Sequence, residues 1–415
     1  MIYLFIHQNF PAQYKNIIRY LADQPGNTVV CISKPNDNVM RDVIKATYEI
    51  ATPRHPNHHP LTADFDGSVR NAMGVVDACR ELINQGLKPD IIIGHNGWGE
   101  MMFVKDMFPK VPVLLYFEFY YHSRGVDVGF DPEYPGDQQL AFRLRCRNAV
   151  NLLSMEVADW GNSPTRWQRS VQPPEIRPRI SVLHEGVRTD QVRPDPAATL
   201  SLARDGLELT RKDEVVTFVA RSLEPYRGFH IFMRAWREIQ RRRPKAHALI
   251  VGADNVSYGA PPPPGTTFRA MALEEAGGDL DMSRVHFLGQ IPYEAYLRLL
   301  QVSSAHVYLT YPFVLSWSFI EAMSAGCAVI GSSTPPVMEV LRDGENGLAV
   351  DFFSAREIAD RVDEVLDHPT RMAHIREAAR ATAVRDFDFD TVLRPRWTGL
   401  IDDLASGRRP QLYVD

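Results

Sequence analysis

HVYLTYPFVLSWSFIEAMSAG, residues 306–326, reads as a strand, a loop and a helix in direct succession. Val307 to Leu309 form a short apolar strand, and Pro312 marks the loop. The helix begins near Trp317, carries Glu321 on its second turn and stops at Gly326. CAVIG (327–331) follows as a further buried strand. Such a unit presents helix N-terminal amides at the carboxyl edge of a parallel sheet, which suits a phosphate. A carboxylate one turn into the helix is placed to accept a sugar hydroxyl. Ile320, Ala322 and Met323 surround Glu321 with apolar residues, and Ser324-Ala325-Gly326 allow close packing at the helix end.

The same alternation extends outward in both directions. Upstream lie the strand EVVTFVA (214–220), a helix over 229–242, the strands HALIVG (247–252) and VHFLG (285–289), and a helix over 293–302. Downstream, the PPVMEVL helix has prolines at its start, where a missing N–H costs little. Ser354 with Glu357 makes a capping-box pattern for the helix after it. The first half has its own series: strands at Ile2–Ile6, TVVCIS (28–33), IIIG (91–94) and VPVLLYF (111–117), with helices between. Strands alternating with helices predict parallel sheets. The fold class expected is α/β, with two Rossmann-like doubly wound domains facing each other across a cleft. The boundaries expected are 1–190 for the first domain, 191–212 for a linker containing Pro194 and Pro196, and 213–380 for the second domain. A helical segment over 381–415 is free to cross back to the first.

Bulk composition narrows the classes. A chain of 415 residues has length for two cores. A net charge of −5 gives no general electrostatic case for a nucleic-acid partner. The basic runs RLRCR (143–147) and RRRPK (241–245) read as solvated helix faces or ends. Four scattered cysteines, with no CxxC pair, suggest neither zinc nor a redox motif, and the simple reading is a reducing cytoplasm. The apolar run of MIYLFIHQNF spans only about six residues and reads as a first strand, being too short for a signal peptide or membrane span.

A second constellation is Arg221-Ser-Leu-Glu-Pro-Tyr-Arg227-Gly228, between a strand end and a helix start. Two guanidiniums there match the geometry of a diphosphate and can balance charge growing on a leaving phosphate.

Together these stretches resemble retaining glycosyltransferases of the GT-B fold, in particular glycosyltransferase family 4 (group 1). The resemblance covers roughly 180–367 and rests on VLHEGV (182–187), the Arg221–Gly228 motif, VHFLGQIP (285–292), the IEAMSAG helix and PPVMEVLRDGENGLAV (335–350). The first half resembles the family more loosely, through its opening strand and SPTRWQ (163–168). The resemblance implies a nucleoside-diphosphate sugar donor in the second domain and an acceptor on the first. It implies phosphate binding by Arg221 and Arg227, and a donor ribose held by Glu321. It places Gly289 to Pro292 beside the base and turns the amides of Ser316, Trp317 and Ser318 toward the diphosphate. It also implies retention, no bound cofactor and no required metal.

The chain departs from the family pattern in four places. The carboxylate eight residues before Glu321 is replaced by Phe313. The opening loop, His7 to Ala12, lacks the family's paired glycines. Glu118, with His122 nearby, stands where the family often has a histidine. Arg227 replaces a lysine. On the first half, His7 and His95 each follow a strand's carboxyl end, where open α/β sheets bind ligands. Glu118 is expected at the reacting centre, with His7, His95 and His122 on the acceptor side. His55, His58 and His59 lie in a Pro-rich loop with no cysteine or carboxylate at ligand spacing, so no metal site is expected there. The FEFYYH run (117–122) reads as core or as a sugar-stacking face.

The expected function is sugar transfer to the hydroxyl of a glycan, lipid-linked glycan or small molecule, as in polysaccharide biosynthesis. The site of action is cytoplasmic, with peripheral membrane contact at the inner face left open. A nucleotide-sugar epimerase or a phosphorylase on the same fold is one alternative, although no lysine site for a pyridoxal group stands out. A non-catalytic scaffold, motivated by Phe313 and Glu118, is another.

Overall fold

The computed structural model describes residues 1–414 apart from residue 52 and the stretches 54–56 and 203–205. His55 therefore lies outside the described residues. The chain divides into two compact units, Met1–Gly186 with Phe389–Asp415, and Val187–Asp388.

Among the described residues, the first unit holds seven strands: β1 (Ile2–Ile6), β2 (Thr28–Ser33), β3 (Val43–Thr47), β4 (Ile91–His95), β5 (Val113–Tyr116), β6 (Trp160–Ser163) and β7 (Ile180–Val182). They are all parallel, in the order β3-β2-β1-β4-β5-β6-β7. One face packs Phe5, Ile93 and Leu114 against Trp397, Leu400 and Ile401 of the helix Arg394–Ala405. The other packs Leu4, Ile92 and Leu115 against Val75 and Cys79 of the helix Ala63–Asn84. Burial on both faces is why these strands read as continuous apolar runs.

The second unit holds β8 (Thr199–Leu202), β9 (Leu207–Thr210), β10 (Val215–Ser222), β11 (His247–Ala253), β12 (Val285–Gly289), β13 (Ala305–Tyr308), β14 (Ala328–Ser332) and β15 (Leu348–Val350). The last six form a parallel sheet in the order β12-β11-β10-β13-β14-β15. Each large sheet reverses its strand order once, between β1 and β4 in the first and between β10 and β13 in the second. The crevice outside the carboxyl ends at such a reversal is where open α/β sheets bind ligands.

Several local expectations meet a different structure. Within 191–212, β8 and β9 pair antiparallel, with Leu200, Leu202 and Leu209 turned inward and Thr199, Ser201 and Glu208 outward. Period-two alternation, short enough to pass for linker sequence, builds that pair. β10 runs to Ser222, two residues past Ala220. The capping box at Ser354 is half made: Ser354 Oγ accepts the Glu357 amide at 3.2 Å, whereas Glu357 Oε2 accepts the Asp351 amide at 2.8 Å. The basic run at 143–147 does lie on a helix, Gln138–Val157, with Arg143 and Arg145 exposed as expected; its buried face includes Asn148 and Asn151. Asn148 is buried by bonding both the amide (3.1 Å) and the carbonyl (2.7 Å) of Tyr121, which weakens the apolar periodicity. Arg242 and Arg243 bond Asp360, Asp363 and Asp367. All four cysteines are unpaired. Among the described residues, no helix is long and apolar enough to cross a membrane.

Candidate active site

In the second unit, the turn after β10 brings the two arginines of the Arg221–Gly228 motif into two different settings. Arg221 is exposed near the strand's end, whereas Arg227 is buried. Arg227 Nη1 donates to Tyr308 Oη (3.2 Å), Thr310 Oγ1 (2.8 Å) and the Val314 carbonyl (3.0 Å). Its guanidinium carbon lies 5.2 Å from the centre of the Tyr258 ring. Gly228 adopts φ +67°, and a Cβ there would come within 2.5 Å of Leu309 Cβ. Glycine is therefore required for the turn that points Arg227 inward and starts the helix Phe229–Arg242.

Glu224, inside the same motif, was not singled out by sequence reasoning. It is fully buried and accepts the amides of Ser257, Tyr258 and Gly259, each at 3.1 Å. Ser222 Oγ adds bonds to Asn255 Oδ1 (2.6 Å) and Ser257 Oγ (2.8 Å). The loop 255–259 is thereby clamped to the turn, and with it the Tyr258 ring over Arg227. The only sequence signal was an acidic residue between two arginines in a turn.

Phe313 is buried in an aromatic cluster, 5.4 Å from Tyr226 and 5.1 Å from Tyr258 between ring centres, with Tyr311 4.6 Å from Tyr226. Packing among these rings gives its aromatic identity a physical reason.

Glu321 lies in the helix Trp317–Ser324. Its Oε1 accepts the hydroxyl of Tyr293 at 2.6 Å and its Oε2 that of Tyr296 at 2.8 Å. Burial first, then the Glu321 carboxylate, push both phenols above the usual tyrosine range, so both remain donors. Neither tyrosine was anticipated. Gly289 closes β12 at φ +63° with open space where a side chain would stand, and Pro292 caps the helix Tyr293–Val302. Gly289, Pro292 and Glu321 are therefore brought together through Tyr293.

The helix N-terminus differs from the expectation of ligand-facing amides at Ser316 and Ser318. The Ser316 amide donates to Tyr308 Oη at 2.8 Å, and the Ser318 amide donates to the Ser316 side chain at 3.4 Å. Both are used inside the protein because Ser316 serves as the helix cap. Trp317 is exposed beside them.

In the first unit, the strand-order reversal gathers a group of rings, with Trp98 stacked 5.9 Å from His95. His7 follows β1 and His95 ends β4; their ring centres lie 5.3 Å apart. Tyr14 lies 6.2 Å from His7, and Tyr116 lies 5.4 Å from His95. The Nδ1 atoms of His7 and His95 accept the amides of Asn9 (2.9 Å) and Gly97 (3.0 Å), which places any ring proton on Nε2. His7 Nε2 and Tyr14 Oη are buried with no hydrogen-bond partner among the described residues. Burial, then the neighbouring His95, hold His7 well below the usual imidazole range, so it is neutral. His95 Nε2 lies 3.4 Å from Glu118 Oε2, ion-pair range without hydrogen-bond alignment. Glu185, a residue the sequence did not mark, accepts the Tyr116 hydroxyl. Gly186 beside it adopts φ +82° and leaves room for Phe389, whose Cβ would lie 2.9 Å from an added Cβ.

The structure thus brings together His7, His95 and Glu118. It does not join His122 to them by any described contact: His122 Nε2 bonds the Val171 carbonyl at 2.8 Å, and its ring packs near Tyr120. Phe117 and Phe119 are core residues, so this part of the FEFYYH run is not a sugar-stacking face. His59 caps a turn by accepting the Leu61 amide at 3.2 Å.

Two doubly wound parallel sheets, each with polar chemistry at its strand-order reversal, define the GT-B class of glycosyltransferase folds. Solved structures of that class superpose over nearly the whole chain. Sucrose-phosphate synthase from Thermosynechococcus elongatus gives a TM-score of 0.73 at 16% identity, covering 98% of this chain and 100% of that one. Anabaena HepE, in complex with UDP and glucose, gives 0.65 at 16% identity, covering 97% and 100%. Residues 25–192 match the Glycosyl transferase family 4 group, and residues 203–382 match Glycosyl transferases group 1. The chain belongs to this family of group 1 glycosyltransferases. Among curated relatives, a D-inositol 3-phosphate glycosyltransferase of Rhodococcus jostii is 32% identical over 202 residues, 47% of this chain and 41% of the relative. A phosphatidyl-myo-inositol mannosyltransferase of Mycobacterium tuberculosis is 30% identical over 190 residues, 44% and 45% respectively. The chain spans less than half the length of the curated relatives it matches.

Proposed function

We propose that the protein is a retaining glycosyltransferase that moves a sugar from a nucleoside-diphosphate sugar to an acceptor hydroxyl. The observation that carries this reading is the buried Arg227 at the second unit's strand-order reversal, tied through Tyr308 to the helix that bears Glu321. A guanidinium fixed there supplies positive charge where a leaving diphosphate would gain negative charge, and a preorganised charge costs no reorganisation during reaction. Arg221, exposed at the end of β10, adds a second positive charge. The reading needs no metal, because these two side chains carry the countercharge. Glu321 would accept a ribose hydroxyl, and Gly289 and Pro292 would flank the base.

His7, His95 and Glu118 are the acceptor-side groups in this reading. Neutral His7, with a buried Nε2, suits a hydrogen bond to a hydroxyl. HepE is described with UDP and glucose, which makes UDP-sugars the first donors to test. The names of the curated relatives point to inositol-bearing acceptors, free or lipid-linked. Cytoplasmic action is part of the proposal and is supported by four unpaired cysteines.

Turnover of UDP- and GDP-sugars with inositol phosphate and phosphatidylinositol acceptors tests the reading, with the product anomer assigned by NMR and EDTA included as a control. Transfer with the donor's anomeric configuration kept, insensitive to EDTA and abolished by Glu321→Ala, supports it. Release of an epimerised sugar nucleotide without transfer contradicts it.

A further inference from the structure

Tyr293 combines three properties that its neighbours do not share. The residue is 46% exposed, its hydroxyl is anchored 2.6 Å from Glu321 Oε1, and it follows directly on Pro292 at the start of its helix. The open space at Gly289 lies on the same strand-to-helix connection. Tyr296 differs: it is buried, and its hydroxyl holds the second oxygen of the same carboxylate at 2.8 Å. The two rings lie 5.7 Å apart and tilted by 39°. Tyr296 therefore fixes Glu321 from inside, and Glu321 fixes the phenol end of an aromatic ring that faces solvent.

An exposed aromatic ring on a surface connection ordinarily samples several rotamers. A charge-assisted hydrogen bond at its far end removes that freedom. The result is a preorganised flat apolar surface beside a carboxylate, and a bound planar group meets no ordering cost from the ring. A planar heterocycle carrying a ribose has the complementary shape, with its flat face for the ring and its hydroxyls for the carboxylate.

We infer that Tyr293 is the stacking platform for the donor's nucleobase, locked in place by the carboxylate that receives the ribose. This rests on the donor reading given above and adds the residue that contacts the base. Tyr293 acts by its face, so any planar base is held, and discrimination among bases falls to other groups on the Gly289–Pro292 connection.

Calorimetry on the full chain, with UDP, GDP, ADP and dTDP as probes and pyrophosphate as a base-free control, tests this. Tyr293→Ala should weaken the nucleoside diphosphate that wild type binds by about tenfold, the scale of one base–aromatic stack. Tyr293→Phe keeps the ring and should remain within about threefold of wild type. Pyrophosphate should bind all three proteins equally. Unchanged nucleotide affinity in Tyr293→Ala overturns the inference, as does an equal loss for pyrophosphate, or a loss in Tyr293→Phe matching that in Tyr293→Ala. If wild type binds pyrophosphate but none of the four nucleotides, the donor reading itself fails, and the inference falls with it.

Discussion

The hydroxyl of Tyr308 receives Arg227 Nη1 at 3.2 Å and the amide of Ser316 at 2.8 Å. Tyr308 ends β13, so one side chain joins the turn after β10 to the cap of the helix carrying Glu321. Burial first keeps its phenol above the usual range and protonated. The turn that carries Arg227 and the helix that carries Glu321 are thereby tied together.

Tyr308→Phe removes a single oxygen, which takes the acceptor from the half-buried Ser316 amide and one of three acceptors from Arg227 Nη1. The expected loss of stability is roughly 1–3 kcal/mol, the cost of unsatisfied polar groups. Urea unfolding reads it. Nucleotide affinity should fall by more than stability alone accounts for, since Arg227 keeps only its bonds to Thr310 and Val314 and is held less firmly.

Gly228→Ala forces a side chain into a left-handed backbone against Leu309 Cβ at 2.5 Å. Strain and overpacking together should cost roughly 2–4 kcal/mol. A thermal melt within error of wild type would show that the turn can open without consequence.

Glu224→Ala strands three amides of the loop 255–259. Hydrogen exchange at Ser257, Tyr258 and Gly259 should accelerate by at least about tenfold, equivalent to roughly 1.4 kcal/mol of local opening. Glu224→Gln retains one acceptor oxygen and should fall between the two. Unchanged protection at these amides would remove the clamp from the account.

Stability should also fall in acid. Burial holds His306 down at about 4 from an ordinary 6.5, and His7 and His184 are shifted the same way. These groups are neutral when folded and more readily protonated when unfolded. Their contribution is fully present above pH 6.5 and is lost as pH falls toward the folded values. For His306 alone the loss approaches about 3 kcal/mol by pH 4. His306→Gln should flatten this part of the profile in denaturant titrations across pH 4–7.5.

Much of this arrangement was legible in the sequence because it is local. The strand–loop–helix around Glu321, the helix after Gly228 and the apolar runs of β1, β4 and β13 each announce themselves within a dozen residues. His7 and His95 were marked as strand-end residues, and parallel topology explains why they meet. The rest depends on contacts distant in sequence. Glu224 meets amides 33 to 35 residues away, and Glu321 meets tyrosines 25 and 28 residues away. No periodicity encodes such pairs. The helix Gln138–Val157 was legible only as a basic face at 143–147, and its extent was not, because its buried asparagines serve the backbone of Tyr121 and interrupt the apolar stripe.

The most direct test of the central claim is calorimetric titration of UDP, GDP, ADP and dTDP into the wild-type chain and into Arg221→Ala and Arg227→Ala. The account predicts that one nucleotide binds and that either substitution weakens it by at least about tenfold, the scale of a lost charge-assisted contact. Affinity for none of the four, or affinity untouched by both substitutions, would contradict it.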